Sequence, residues 1–401
     1  MDVLQALGYQ FRIQRFITIP NYQLPGESLI HLLGRIIPIM IITVIALTDV
    51  VDMLTSVGSH LEEMSNVPFF VSKFDMIVIK LGVVFVGILA LYINRNHLRI
   101  LKTIDIYDES IRRYQERYVK NPVGFPTQRR SNLEFFLVFI ANSILILNLH
   151  LMTSIKGPPK QILFNGFHAL LLCIHDYVML YIANLIRLFG CHEHQLVQIL
   201  ENDLSRNNHE VFSLVDDFCE TISMINRGFG SLTFFTFSHH LVGSCMSTYL
   251  LFWLIFVSPY FDVIIPFILS SLAYNIRMIT YLIHMSVVGE SIPKKIDNLR
   301  LLIRRWMQDE DLCFPKENWV VGCRSDDDEN FLRAIRFNTH QLLLKNLHQG
   351  TQISASEYFT INNSAIYATF GAVITYLMVL IQFQELEEAK ALQEKLNVQP
   401  N

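Results

Sequence analysis

The sequence predicts an all-α membrane protein, a seven-transmembrane helical subunit with a cytosolic N-terminus and an extracellular C-terminus. Three observations carry this expectation. The 401 residues are 51% apolar and only 17% charged, with 29 Phe, whereas a soluble globular chain carries about 25% charged residues. Seven apolar stretches, near 30–54, 74–94, 132–155, 162–188, 234–258, 260–286 and 361–384, each reach the roughly 20 residues that a ~30 Å hydrocarbon core requires. Lys and Arg alternate by segment. Two precede the first span, nine lie in 95–131, three in 187–230 and eleven in 277–358, making 25 against five in the intervening segments. Basic residues stay on the cytosolic side, which fixes the direction of every span.

In chain order, residues 1–28 form a cytosolic segment. Within it, 9–19 (Y-Q-F-R-I-Q-R-F-I-T-I) mixes Arg with apolar residues, as an amphipathic helix on the membrane surface does, and Pro20 and Pro25 end it. No small-residue cleavage site follows an apolar core here, so the first span is expected to act as its own insertion signal. Residues 29–290 hold spans one to six. The outer loops at 156–160 and 258–261 are very short, whereas 97–119, 190–230, 290–308 and 328–350 repeat apolar residues every three or four positions. That period extends the spans as helices into the cytosol. Residues 291–358 are read as cytosolic anchor helices around a loop at 309–328, where Pro315 and an acidic run break the pattern. Residues 359–384 form the seventh helix, and 385–401 an extracellular tail.

Composition and motifs exclude several functions. There is no G-x-S-x-G, H-E-x-x-H or Walker phosphate loop, so no enzyme is expected. Seven spans suggest a G-protein-coupled receptor, but the direction is inverted, and the Asp-Arg-Tyr and Asn-Pro-x-x-Tyr motifs are missing. An odd number of spans without an internal repeat argues against a two-fold transporter. The six cysteines fall mostly in spans or cytosolic segments and are expected as free thiols. The Cys191-His-Glu-His194 run reads as a helix end below the membrane in preference to a metal site. The sequon at Asn362 falls at the cytosolic end of the seventh span, where it cannot be glycosylated. No cofactor and no nucleic acid are implied.

The seventh span carries the sharpest signal. Thr375 to Phe383 reads T-Y-L-M-V-L-I-Q-F. At helical spacing Thr375, Val379 and Gln382 share one stripe, flanked by Tyr376 and Phe383. Asn362 and Asn363 stand at the cytosolic end. Polar groups at membrane depth must line a cavity or find partners. The stripe therefore either lines a pore with an apolar constriction or bonds to neighbouring helices. A Thr-Tyr pair, five mostly apolar residues and Gln-Phe in the last helix resemble the C-terminal signature of insect gustatory receptors. The inverted seven-span architecture fits the same family. Odorant receptors share that architecture, but the intact Thr-Tyr and Gln-Phe favour the gustatory branch.

The resemblance implies a homotetramer around a central pore, in which the last helix of each subunit surrounds the axis and Gln382 and Phe383 form the gate. It implies a gustatory receptor acting as a ligand-gated, non-selective cation channel opened by a small-molecule tastant, in the plasma membrane of sensory neurons. The implied partners are that ligand, permeating cations, membrane lipids, and identical or related subunits. An obligate subunit of a heteromeric chemoreceptor channel and a membrane transporter are the alternatives. One departure from the family is the tail, because members stop soon after Gln-Phe.

A tastant arrives from outside, so polar and aromatic residues in the outer halves of spans two to six are the pocket candidates: Lys80, Asn148, His150, Asn165, His168, Tyr249, Trp253, Tyr260 and Asp262. Deeper candidates are His175, Asp176, Tyr177, Tyr274 and Asn275. Lys80 has a second reading as a structural partner of Asp49, Asp52 or Asp75.

Overall fold

A computed structural model describes residues 3–17, 36–56, 66–119, 139–140, 142–144, 173, 176–202, 208–256, 261–308, 353–355 and 359–398. They are almost entirely helical. We number the elements α1 (Val3–Ala6), α2 (Gly8–Ile17), α3 (Ile36–Ser56), α4 (Asn66–Tyr118), α5 (176–189), α6 (His192–Asn202), α7 (Asn208–Phe256), α8 (Phe261–Gln308), β1 (Ser354–Ala355), β2 (Phe359–Thr360) and α9 (Asn363–Val398).

Helix length is the most informative property. α4, α7 and α8 contain 53, 49 and 48 residues, or roughly 70–80 Å each at ~1.5 Å per residue. A bilayer core of ~30 Å takes less than half of that. The remainder continues as unbroken helix through 97–118 and 290–308, where the sequence repeats apolar residues at helical spacing. Segment 190–230 differs, since a turn at Gly190–Cys191 splits it into α6 and the start of α7. The expected boundaries at 290 and 384 fall inside the unbroken helices α8 and α9. The segments expected at 309–328 and 328–350, and nearly all of the span expected at 132–155, lie outside the described residues.

α7 is the hub, packing on α4, α8, α9, α6 and β1. The largest core lies along the extended parts of these helices. On α4, Ile100, Ile104, Tyr107, Ile111 and Tyr114 recur at three- and four-residue steps and are buried. The Phe189 and Phe218 rings stack at 5.3 Å. The N-terminal helices close this core. Val3, Ala6, Leu7 and Gln10 are buried, and the Tyr177 hydroxyl donates to the Gln10 carbonyl at 2.9 Å. Of the expected amphipathic segment, Phe11 and Ile13 pack partly against this core, while Tyr9 is exposed.

α3 and α9 are packed on one side only. Ile37, Met40, Ile41, Val44, Leu47 and Val51 of α3 are exposed, the pattern of a helix facing lipid. Three helices among the described residues are long and apolar enough to cross a membrane, Ile77–Tyr118, Glu210–Phe256 and Asn363–Lys390.

Candidate functional site

The start of α9 is held tightly. Asn362 caps it, its side-chain and backbone oxygens both accepting from the Ala365 amide. The two-residue ladder of β1 and β2 precedes the cap, with the Ile361 amide donating to the Ile353 carbonyl at 2.8 Å. Asn226 of α7 binds β1 through the Ser354 amide at 2.9 Å. The Asn363 amide donates to Glu290 of α8. Gly289 lets the Ile361 carbonyl approach α8 so closely that a Cβ would collide with it. Between this anchor and α7 lies a cavity of about 360 Å³, lined by Phe237, Leu241, Asn362 and Thr369 among others.

Beyond the anchor, α9 presents two faces. Ala365, Thr369, Val373 and Gln384 are buried, and Leu377 and Leu380 pack with Met246 and Tyr249 of α7. The Tyr249 hydroxyl donates to Gln384 Oε1 at 3.2 Å, and Gln384 Nε2 donates to Glu388 at 3.1 Å. On the other face Thr375, Tyr376, Val379, Gln382 and Phe383 are all exposed. The Thr375 hydroxyl is used within its own helix, donating to the Gly371 carbonyl at 2.8 Å. Two glutamines two positions apart thus have opposite environments. Gln384 belongs to the fold of the single chain, while Gln382 is presented outward beside Phe383.

A second polar centre joins α5, α7 and α8. Arg277 Nη1 reaches both Asp176 oxygens at 2.9 and 2.8 Å, and both side chains are 1% exposed. The guanidinium lies over the Tyr274 ring, 4.6 Å from its centre, where the ring quadrupole favours a cation. His239 and His240 are buried nearby, with His240 Nδ1 at 2.6 Å from Met278 Sδ. Two residues before Arg277, Asn275 ties α8 to α7. Ser244 and Thr248 donate to its carbonyl at 3.3 and 3.1 Å, and its amide donates to Ser247 at 3.1 Å.

These contacts re-sort the expected pocket residues. Asp176 and Tyr274 meet at Arg277, while Asn275 bonds separately to Ser244, Ser247 and Thr248 of α7. Tyr177 turns the opposite way, to the N-terminal segment, and Tyr249 to the last helix. Lys80 is fully buried within α4, and Trp253 is buried on α7. Asn148, His150, Asn165, His168, His175 and Tyr260 lie outside the described residues, as does the side chain of Asp262. Arg277 was the residue the sequence hid. Counted with the cytosolic charges by position, it is an interior cation, and the inside tally falls from 25 to 24. The signal was available, since a charge inside a predicted span needs a partner and Asp176 is an acid within another.

The Cys191–His194 run is also accounted for. His192 Nε2 sits 2.6 Å from Asp108, and its Nδ1 2.7 Å from Gln195. Asp108 in turn accepts from the Val3 amide at 2.9 Å. Glu193 accepts from Asn298 at 2.9 Å, and the Cys191 thiol donates to the Arg187 carbonyl. Burial pushes that thiol's pKa up, against the opposing pull of Lys295 and Arg187. Among the described residues no group of three His, Cys, Asp or Glu side chains is placed to hold a metal.

The 7tm Chemosensory receptor family matches residues 321–387, a stretch that contains the Thr375–Phe383 signature. The chain resembles the insect chemosensory receptors. It is 44% identical over 50 residues to Gustatory receptor 68a of Drosophila melanogaster, covering 12% of this chain and 13% of the relative. It is 44% identical over 50 residues to Gustatory and pheromone receptor 32a of the same fly, or 12% and 11% of the two chains. The match thus spans only about an eighth of the length of these relatives. The fold extends much further. The insect olfactory receptor OR5 of Machilis hrabei, solved in complex with eugenol, superposes with a TM-score of 0.57 at 12% identity, over 96% of this chain and 100% of that one. A second structure of the same receptor gives 0.55 at 12% identity. The chain therefore shares the helical fold of that receptor, and three of its described helices are long and apolar enough to cross a membrane.

Proposed function

We propose that the chain is one subunit of a tetrameric, ligand-gated, non-selective cation channel opened by a small-molecule tastant in the plasma membrane of sensory neurons. Its N-terminus is cytosolic, and α9 of each subunit lines a pore on the shared axis.

The observation that carries this reading is the exposure of Gln382 on a helix apolar enough to span a membrane. A primary amide facing hydrocarbon is costly. Water in a conduit, or an amide from another copy, removes that cost. Phe383 and Val379 beside it supply the apolar ring that excludes water when narrow. With Trp253 on α7 and Lys80 on α4 as further candidates, the ligand acts from the region of Asp176, Arg277, Tyr274 and Asn275. These side chains bridge α5, α7 and α8, so a molecule that favours a different spacing of those helices displaces α7. Tyr249 and Gln384 connect α7 to α9, giving the displacement a route to the gate. Only a difference in affinity between the closed and open arrangements can drive it.

The test is current recorded from the chain expressed alone and challenged with sugars and alkaloids. Gln382→Ala or Phe383→Ala is expected to change evoked current or its threshold by at least about fivefold, the low end of ordinary coupling energies. Unaltered currents in both variants would remove the gate assignment. Ligand binding without current from the unmodified chain would favour an assembly subunit.

A further inference from the structure

We propose that the helical extension beyond Phe383 is an intersubunit zipper, a short parallel four-helix coiled coil formed by four copies of this chain above the gate. The inference rests on the tetrameric reading and adds to it a contact surface outside the apolar span.

The axial stripe does not stop at Gln382. Counting on from Thr375 in alternating steps of four and three gives Val379, Gln382, Leu386, Ala389 and Gln393, with Leu396 next in the sequence. This 3–4 spacing is the seam of a left-handed coiled coil, and the seam keeps facing its partner for as long as the spacing holds. α9 continues unbroken to Val398. Every seam position from Thr375 to Gln393 is exposed in the single chain. The opposite face is the one committed to the subunit's own fold, through Gln384 and Tyr249.

Two further observations identify the occupant. Leu386 and Leu392 are 57% and 64% exposed, yet they stand among Glu385, Glu387, Glu388, Lys390, Glu394 and Lys395. That density of charge keeps the segment out of hydrocarbon, so protein, and not lipid, is the partner that takes the leucines out of water. The flanks are also self-complementary. Glu385 precedes the seam at Leu386, and Lys390 follows it at Ala389, both exposed. In a parallel bundle these flanking positions meet on adjacent helices. Each copy thus offers an acid to one neighbour and a base to the other, and four copies close the ring. Glu387 and Glu388 fall on the outer side, away from the seam.

Single-cysteine cross-linking of the full-length receptor in membranes tests this, with the unmodified chain as background. Leu386→Cys and Gln393→Cys are expected to give disulfide ladders up to the tetramer on mild oxidation, at least fivefold more than Glu388→Cys. Glu385→Lys is expected to suppress the Gln393→Cys ladder, and adding Lys390→Glu to restore it. Gln382→Cys separates this inference from the one beneath it. If Gln382→Cys cross-links while Leu386→Cys and Gln393→Cys stay at the Glu388→Cys level, the pore stands and the zipper falls. If none of them cross-links, both fall. Cross-linking at Leu386 to a protein of different mass would also overturn the zipper.

Discussion

The interior ion pair shows how one residue controls the reading of a whole helix. Arg277 and Asp176 are mutually dependent, since each charge is tolerable inside the bundle only with the other present. Arg277→Met is therefore expected to lower stability by about 3–5 kcal/mol, because Asp176 stays buried without its cation. Arg277→Met combined with Asp176→Leu is expected to recover most of that loss. Melting of the detergent-solubilised protein measures both, and a double variant no better than the single one would show that the pair does not act as a unit. At this scale the sequence was half legible. The stripe Thr375, Val379, Gln382 follows from spacing alone and is exposed as a set. That Gln384 faces inward to Tyr249 does not follow, because spacing gives relative direction on a helix but not which face a neighbour takes. Tyr177 and Tyr249 illustrate the same limit. Both are aromatic residues in spans, and their hydroxyls point to partners that only the tertiary fold supplies.

Helix length was readable and helix interruption was not. Apolar residues at three- and four-residue steps carried α4 and α8 far past the membrane on paper, and both helices run through to Tyr118 and Gln308. The turn at Gly190–Cys191 keeps the same apolar spacing on both sides, so periodicity passed over it. The joint between α8 and α9 was equally silent in sequence, because it depends on a missing atom. At Gly289 a Cβ would strike the backbone carbonyl of Ile361, and a carbonyl at the head of a capped helix has no rotamer to retreat into. Pro293, four residues on, cannot donate to the Gly289 carbonyl, so α8 is less braced at this turn than elsewhere. Gly289→Val is expected to push the start of α9 off α8, at a cost of about 1–3 kcal/mol as in other overpacked cores. The measurement is a lowered melting temperature together with a changed basal current. An unchanged protein by both criteria would mean that the contact is not close in the working receptor.

The arrangement of the whole chain in the membrane rests on joining a count to a contact. The count is the excess of Lys and Arg in alternate segments, still 24 to five after Arg277 is removed. By itself it leaves the N-terminus weakly placed, since only Arg12 and Arg15 precede the first span. The contact strengthens it. The Val3 amide donates to Asp108, which lies on the part of α4 that also carries Arg112, Arg113 and Arg117. The N-terminus therefore shares an end of the molecule with the basic turns of α4, so the proposed cytosolic placement of one carries the other with it. An N-terminal tag is a poor probe of this, because Val3 is fully buried and a tag would compete with its docking. An epitope after Asn401 is expected to be labelled on intact cells, and one inserted within 309–328 only after permeabilisation. The opposite pattern would invert the receptor and carry the extension of α9 beyond Phe383 to the cytosolic side.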